Sequence, residues 1–170
     1  MNFVVREARR EEHAALGQLM VAAYAALEGF PTPEQQPRYY EMLTHIGRMA
    51  ERPHTQLLVA VAEGELLGGV VYFSDRAQYG SGGSATQAQE ASGFRLLAVS
   101  PAARGLGVGR ALAQRCVALA RAARQREVII HSTRAMQVAW GMYERMGFER
   151  SPDLDFLQEA LQVYGFRLGL

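Results

Sequence analysis

Residues 104 to 110 read Arg104-Gly105-Leu106-Gly107-Val108-Gly109-Arg110, after an apolar strand-like run and at the opening of a helix-like one. Glycines at alternate positions let a backbone turn tightly and let a ligand approach it closely. The first N–H groups of a helix have no internal partners, and the helix dipole adds positive partial charge there. The spacing therefore predicts an anion site that fits a pyrophosphate, with Arg104 and Arg110 adding charge. A glycine-rich turn that serves only close packing has the same spacing. The dinucleotide fingerprint GxGxxG does not match, because Arg110 stands where its last glycine is needed.

Other chemistries are excluded by residue type. The 18 basic side chains are all Arg, with no Lys in the chain. A phosphate loop that ends in Lys, Schiff-base catalysis and a Lys-held pyridoxal phosphate are therefore ruled out. Cys116 is the one cysteine, so no internal disulfide and no CxxC motif exists, which fits a reducing compartment. It lies on the apolar face of a helix pattern and reads as a small core residue. His13, His45, His54 and His131 show no metal-ligand spacing, and no metal is expected. His131 ends a strand pattern and titrates in a useful range, although a lone His is more often structural.

The elements that must position the glycine turn follow from periodicity. Phe3 to Arg6 reads as a strand. Leu16, Leu19, Met20, Ala23, Tyr24 and Leu27 form one face of a helix, stopped by Gly29 and Pro31-Thr32-Pro33. Tyr39, Leu43, Ile46 and Ala50 predict a second helix, closed by Pro53. Gln56 to Ala62 and Leu66 to Ser74 are strands joined by a hairpin at Glu63-Gly64-Glu65. Asp75 to Ser92 is a long polar loop, functional or mobile. Phe94 to Val99 is a strand, Leu106 to Arg124 a helix, Glu127 to His131 a strand and Ala135 to Met146 a helix ended by Gly147. Phe148 to Arg150 is a short extended piece, and Gln162 to Leu168 is the last strand. The order β-α-α-β-β-β-α-β-α-β-β predicts an α/β chain with a mixed sheet and helices on both faces.

At 170 residues and a net charge of +1, the chain reads as one domain over residues 1–170, with no bulk attraction to DNA or to a membrane surface. No run of 18 apolar residues occurs, and Phe3 to Val5 is too short for a signal-peptide core. A soluble cytoplasmic protein is the expectation, and a homodimer is compatible with it.

Two blocks resemble the GCN5-related N-acetyltransferase family. Leu97-Ala98-Val99-Ser100-Pro101-Ala102-Ala103-Arg104-Gly105-Leu106-Gly107-Val108-Gly109 is similar to its acetyl-coenzyme A signature. That signature is Arg/Gln-x-x-Gly-x-Gly/Ala after a strand reading Leu-x-Val-x-Pro. Ala139 to Phe148 is similar to its later helix, Ala-x-x-x-Tyr-x-x-x-Gly-Phe. The spacing of the blocks and the order of elements along essentially the whole chain fit the family too.

The resemblance implies that the strand ending at Val99 splays from the strand at Glu127 to His131, and that pantetheine lies between them. Backbone groups along Leu97-Ala98-Val99 would pair with it. Gly105, Leu106, Gly107, Val108, Gly109 and Arg110, with Arg104, would hold the pyrophosphate of acetyl-CoA. Tyr143 would protonate the departing thiolate. Two positions depart from the family pattern: Met136 stands for a common Asn, and Gly93 lies near the position of a common Glu. The nearest carboxylate is Glu90, which becomes the candidate base. The implied reaction is direct acetyl transfer to a primary amine of a small molecule, with Glu28, Asp75, Glu90, Asp153 and Asp155 drawing an ammonium group to the mouth. A non-catalytic coenzyme A-binding domain and an enzyme for protein-borne or aminoacyl-tRNA amines are the alternatives.

Overall fold

A computed structural model describes residues 2–79 and 90–170. Its strands are β1 (Val4–Glu7), β2 (Thr55–Ala62), β3 (Glu65–Phe73), β4 (Ala91–Val99), β5 (Glu127–Ser132), β6 (Glu149–Arg150), β7 (Phe156–Gln158) and β8 (Leu161–Gly169). Its α-helices are α1 (His13–Ala25), α2 (Pro37–Thr44), α3 (Val108–Ala122) and α4 (Gln137–Arg145). The sheet runs β1-β2-β3-β4-β5-β8-β6, with β7 pairing β8. Among the described residues β4 and β5 are the parallel pair, and the other neighbours are antiparallel.

The mixed sheet with helices on both faces is as expected. One face buries Leu16, Met20 and Tyr24 of α1 with Tyr40 and Leu43 of α2. The other buries Leu112, Cys116 and Ala120 of α3 with Tyr143 of α4. At the α1–α2 crossing, a Cβ on Gly17 would run into the backbone carbonyls of Leu43 and Thr44, so only glycine permits this approach.

Several boundaries differ from the sequence reading. The second helix stops at Thr44 because His45 leaves helical geometry, and a 3-10 turn at Ile46–Glu51 carries the buried Ile46 and Met49 onward. α3 starts at Val108 because Gly107 takes a left-handed φ of 83°. β4 begins at Ala91, earlier than expected. Of the long loop, Arg76–Gln78 is a 3-10 turn, and residues 80–89 lie outside the described residues. β7 was not expected: its turn into β8, at Glu159-Ala160, has neither Gly nor Asn to announce it, and Glu159 takes a positive φ of 55°.

The decisive irregularity is in β4. Its pairing with β5 consists of Ala91–Glu127, Ser92–Val128 and Gly93–Ile129, and from Phe94 onward the strands part. On the other edge the register with β3 slips between Gly69–Ala98 and Val71–Arg95. An extra residue is therefore accommodated there, and Leu96 sits at a positive φ of 62°, a strained conformation for a leucine. This bulge reverses the alternation of side chains. Leu96 and Ala98 pack with α1 and α2, whereas Phe94, Leu97 and Val99 pack on the α3 and α4 side.

Candidate active site

The parting of β4 from β5 leaves backbone groups without strand partners. Ser100 N–H donates to Leu67 O at 2.8 Å, so alternation turns Ala98 toward β3 and turns Leu97 and Val99 toward the gap. The Leu97 carbonyl accepts a hydrogen bond from the Tyr24 hydroxyl at 3.1 Å. Across the gap, β5 ends in Ser132, followed by Thr133. Both hydroxyls are sealed from solvent and lack a hydrogen-bond partner. Orphaned buried hydroxyls are costly unless a ligand satisfies them.

The glycine turn lies at the open end of the gap. Gly105 and Gly107 have φ of 78° and 83°, and a Cβ on either would meet nothing within 4 Å. These two glycines therefore serve conformation and access, not packing. Gly109 differs: its Cβ position is 3.5 Å from Val99 Cγ2 and 3.8 Å from Met142 Sδ, which locks the start of α3 against β4 and α4. The first helical bond runs from Ala111 N–H to Gly107 O at 3.0 Å. The N–H groups of Val108, Gly109 and Arg110 precede it and have no intrahelical acceptor. Arg104, Leu106 and Arg110 are exposed around this turn. The arrangement can hold a pyrophosphate at the helix end and an extended amide-bearing arm along Leu97 and Val99. These features fit acetyl-CoA.

Tyr143 stands under the start of the gap. Its ring packs edge-to-face on Phe94, at 5.9 Å between centroids, and on Phe148, at 5.7 Å. Phe94 is the first β4 residue past the last pairing with β5. Burial raises the Tyr143 phenol above its ordinary range, and the neighbouring Tyr79 and Cys116 add to the rise. Met136 is the residue that opens α4.

Glu90 is not brought to this group. It sits before the paired end of β4, at a positive φ of 55°, with its side chain 62% exposed. Its carboxylate pairs with Arg126 Nε at 2.6 Å. Four residues of strand, about 13 Å, separate it from Phe94. Three of the other four acidic residues expected at the mouth are engaged. Asp155 pairs with Arg150 at 2.8 Å, Asp153 pairs with Arg167 at 2.7 Å, Asp75 caps Ala77 N–H at 2.9 Å, and Glu28 is exposed.

Three residues not singled out for chemistry in the sequence stand on the α1–α2 side of the gap. Tyr24 holds the Leu97 carbonyl. Tyr79 bonds His131 Nδ1 at 3.0 Å, while His131 Nε2 lies 3.0 Å from Leu154 O. A carbonyl only accepts, so Nε2 carries the proton, and Nδ1 accepts from the Tyr79 hydroxyl in the neutral ring. Arg95 donates to Tyr79 O at 3.1 Å. A charged residue inside an apolar strand was the one available signal for Arg95. Trp140 packs edge-to-face on Tyr164 and Phe166, at 5.2 and 4.9 Å, as a core-rim residue. Among the described residues, no cluster of three His, Cys, Asp or Glu could hold a metal, and no helix is long and apolar enough to cross a membrane.

Solved structures share this architecture. A PaiA N-acetyltransferase from Thermoplasma acidophilum in complex with coenzyme A aligns over 100% of both chains, with a TM-score of 0.77 at 13% identity. A ribosomal-protein-alanine N-acetyltransferase from Brucella melitensis aligns over 98% of this chain and 99% of its own, with a TM-score of 0.72 at 19% identity. A GCN5-related N-acetyltransferase from Kribbella flavida aligns over 99% and 98%, with a TM-score of 0.71 at 22% identity. No curated protein matches the sequence. The model of the acetyltransferase (GNAT) family matches residues 7–148, which contain the split strands, the glycine turn and the Tyr143 helix. The chain therefore belongs to the GNAT family of acetyl-CoA-dependent N-acetyltransferases.

Proposed function

We propose that this acetyltransferase acts on the primary amine of a small molecule, which attacks the acetyl carbonyl directly while donor and acceptor are both bound. The observation that carries the reading is the β4–β5 split, with Tyr143 packed on Phe94 where the strands part. Bound acetyl-CoA supplies an acyl group activated as a thioester. The N–H groups from Gly105 to Arg110, with Arg104 and Arg110, hold its pyrophosphate. The backbones of Leu97 and Val99 orient its arm along the β4 side of the gap. Tyr143 Oη keeps its proton at neutral pH, because burial disfavours the phenolate, and delivers it to the sulfur as the carbon–sulfur bond breaks. The amine gives up its own proton to water, so the fraction of free amine limits the rate. Direct transfer needs no nucleophile from the enzyme, and the buried Cys116 takes no part. Glu90, exposed and ion-paired, takes no part either.

The test is thiol release from acetyl-CoA over a panel of amines. Tyr143→Phe keeps the ring and should lower turnover by roughly 10²–10⁴ with donor affinity little changed. A Phe variant that turns over at the wild-type rate would make Tyr143 a packing residue. Donor binding without turnover on any amine would favour a coenzyme A-binding role. Reaction confined to nucleic-acid-borne amines, with a steep loss of rate in salt, would point to a polyanionic acceptor.

A further inference from the structure

Arg95 interrupts an apolar stretch of β4, immediately before the bulge. Because the bulge reverses side-chain alternation, Arg95 and Leu96 both lie on the α1–α2 side. The guanidinium is half-buried among phenols. It donates to Tyr79 O at 3.1 Å and lies 5.7 Å from the centroid of the Tyr79 ring. Its charge also reaches Tyr24 and Tyr39. Burial raises both phenols, that of Tyr39 up to about 12, and the nearby guanidinium opposes the rise. Tyr24, Phe30 and Tyr39 stack on one another, with centroids 5.4 to 6.0 Å apart.

Among the described residues this cation pairs with no carboxylate. Ion pairs among the described residues join Arg6 to Glu12, Arg126 to Glu90, Arg150 to Asp155, and Arg167 to Glu127 and Asp153. Arg95 is in none of them. The segment that follows Tyr79, residues 80–89, contains no Asp or Glu in its sequence, so it holds no carboxylate for Arg95. A guanidinium has five N–H donors in a planar fork, and one carbonyl accepts from it here. A fork of this kind matches a carboxylate in a bidentate pair, and partial burial strengthens such a pair. Arg95 stands two residues before Leu97 on β4, with the bulge between them, and the Leu97 carbonyl faces the gap.

Resting on the transfer reading above, we propose that Arg95 selects the acceptor: it holds a carboxylate carried close to the reactive amine, as in an α-amino acid. A single positive charge among phenols balances one carboxylate. The tyrosine walls exclude water and favour acceptors with an apolar or aromatic body. Asp75, Glu90, Asp153 and Asp155 are engaged elsewhere, and recognition of a carboxylate uses the opposite sign of charge.

The probes are L-amino acids and their carboxamides with identical side chains. Two readouts are taken on each. One is kcat/KM by thiol release from acetyl-CoA. The other is calorimetric binding of the N-acetyl amino acids and N-acetyl carboxamides to protein saturated with coenzyme A. Wild-type protein should prefer the carboxylate by roughly 30-fold or more. Arg95→Met, similar in length and uncharged, should reduce that ratio to within about threefold, and Arg95→Lys should keep an intermediate ratio because it retains charge without the fork. Variants are compared once each shows the wild-type thermal response to acetyl-CoA. Thiol release from amines without a carboxylate preference, or a preference that survives Arg95→Met, overturns the role of Arg95 and leaves acetyl transfer standing. Arg95-dependent carboxylate binding without thiol release from any probe overturns transfer and leaves the carboxylate site standing. Absence of both binding and turnover overturns the inference.

Discussion

A phenol in water loses its proton near pH 10, and Tyr143 holds its proton beyond that because its buried site disfavours the anion. The consequence for rate has a definite sign. Turnover should rise with pH as the acceptor ammonium deprotonates, with no downward limb from Tyr143 below about pH 10. A kcat profile from pH 6 to 10 checks this, and a fall that begins near neutrality would put another acid in the role. The same profile measures Glu90. Its pair with Arg126 is solvent-exposed, so Glu90→Gln should leave rate and profile within about twofold and cost no more than about 1 kcal/mol of stability. Of the residues proposed for the site, Tyr143 is legible in the sequence because its helix carries the Ala-x-x-x-Tyr-x-x-x-Gly-Phe pattern. Glu90 is the carboxylate nearest in the chain to Gly93, and nearness in sequence does not predict a partner such as Arg126.

The glycines at the start of α3 divide into two kinds at the level of the element. Gly107 has a left-handed φ of 83°, whereas Gly109 is helical with ordinary contacts at its Cβ position. Gly107→Val should therefore cost about 1–2 kcal/mol from backbone strain alone, and it should abolish the thermal response to acetyl-CoA because a branched side chain would crowd the anion site. Gly109→Ala should be stabilising by up to about 1 kcal/mol, since alanine is the better helix former and has room. Urea unfolding separates the two, and equal effects would show that the turn tolerates either residue. The position of this turn was plain from alternate glycines after a strand. The bulge at Leu96 was not, because no glycine marks it. Packing of Leu96 on one face and of Leu97 on the other forces the backbone into a conformation that leucine rarely adopts.

For the whole molecule, ligand and pH both act on folding. Acetyl-CoA at 100 times its dissociation constant should add about 2.7 kcal/mol, seen as a raised melting temperature. At acid pH the N-terminal crossover matters. Arg6 grips Glu12 through two bonds of 2.9 Å, tying β1 to the turn before α1, and this holds the Glu12 carboxyl down at about 2. The unfolded chain binds that proton near 4.5. The contribution is therefore complete above about pH 4.5 and is lost as pH falls toward about 2. Glu12→Gln should destabilise by about 1 kcal/mol at pH 7, and the difference from wild type should vanish in the acid range. A difference that persists unchanged at pH 2 would mean that the site works by packing.

Short-range pattern determined much of this protein before any tertiary contact was known. The 3.6-residue stripes of α1 and α3, the apolar runs of β2 and β3 and their turn, and the glycine opening of α3 are local signals read within a dozen residues. Family resemblance in two blocks added the cofactor groove and Tyr143. Only the tertiary structure decided where β4 parts from β5, which way Arg95 points, that Tyr24 reaches the carbonyl of Leu97, and that Glu90 is spent on Arg126. The Tyr24–Leu97 bond joins residues 73 positions apart, and such contacts leave no period in the chain. The groups proposed for acetyl transfer lie in two local motifs, whereas the proposed acceptor site draws on Tyr24, Tyr79 and Arg95, from distant segments that meet only in the folded sheet.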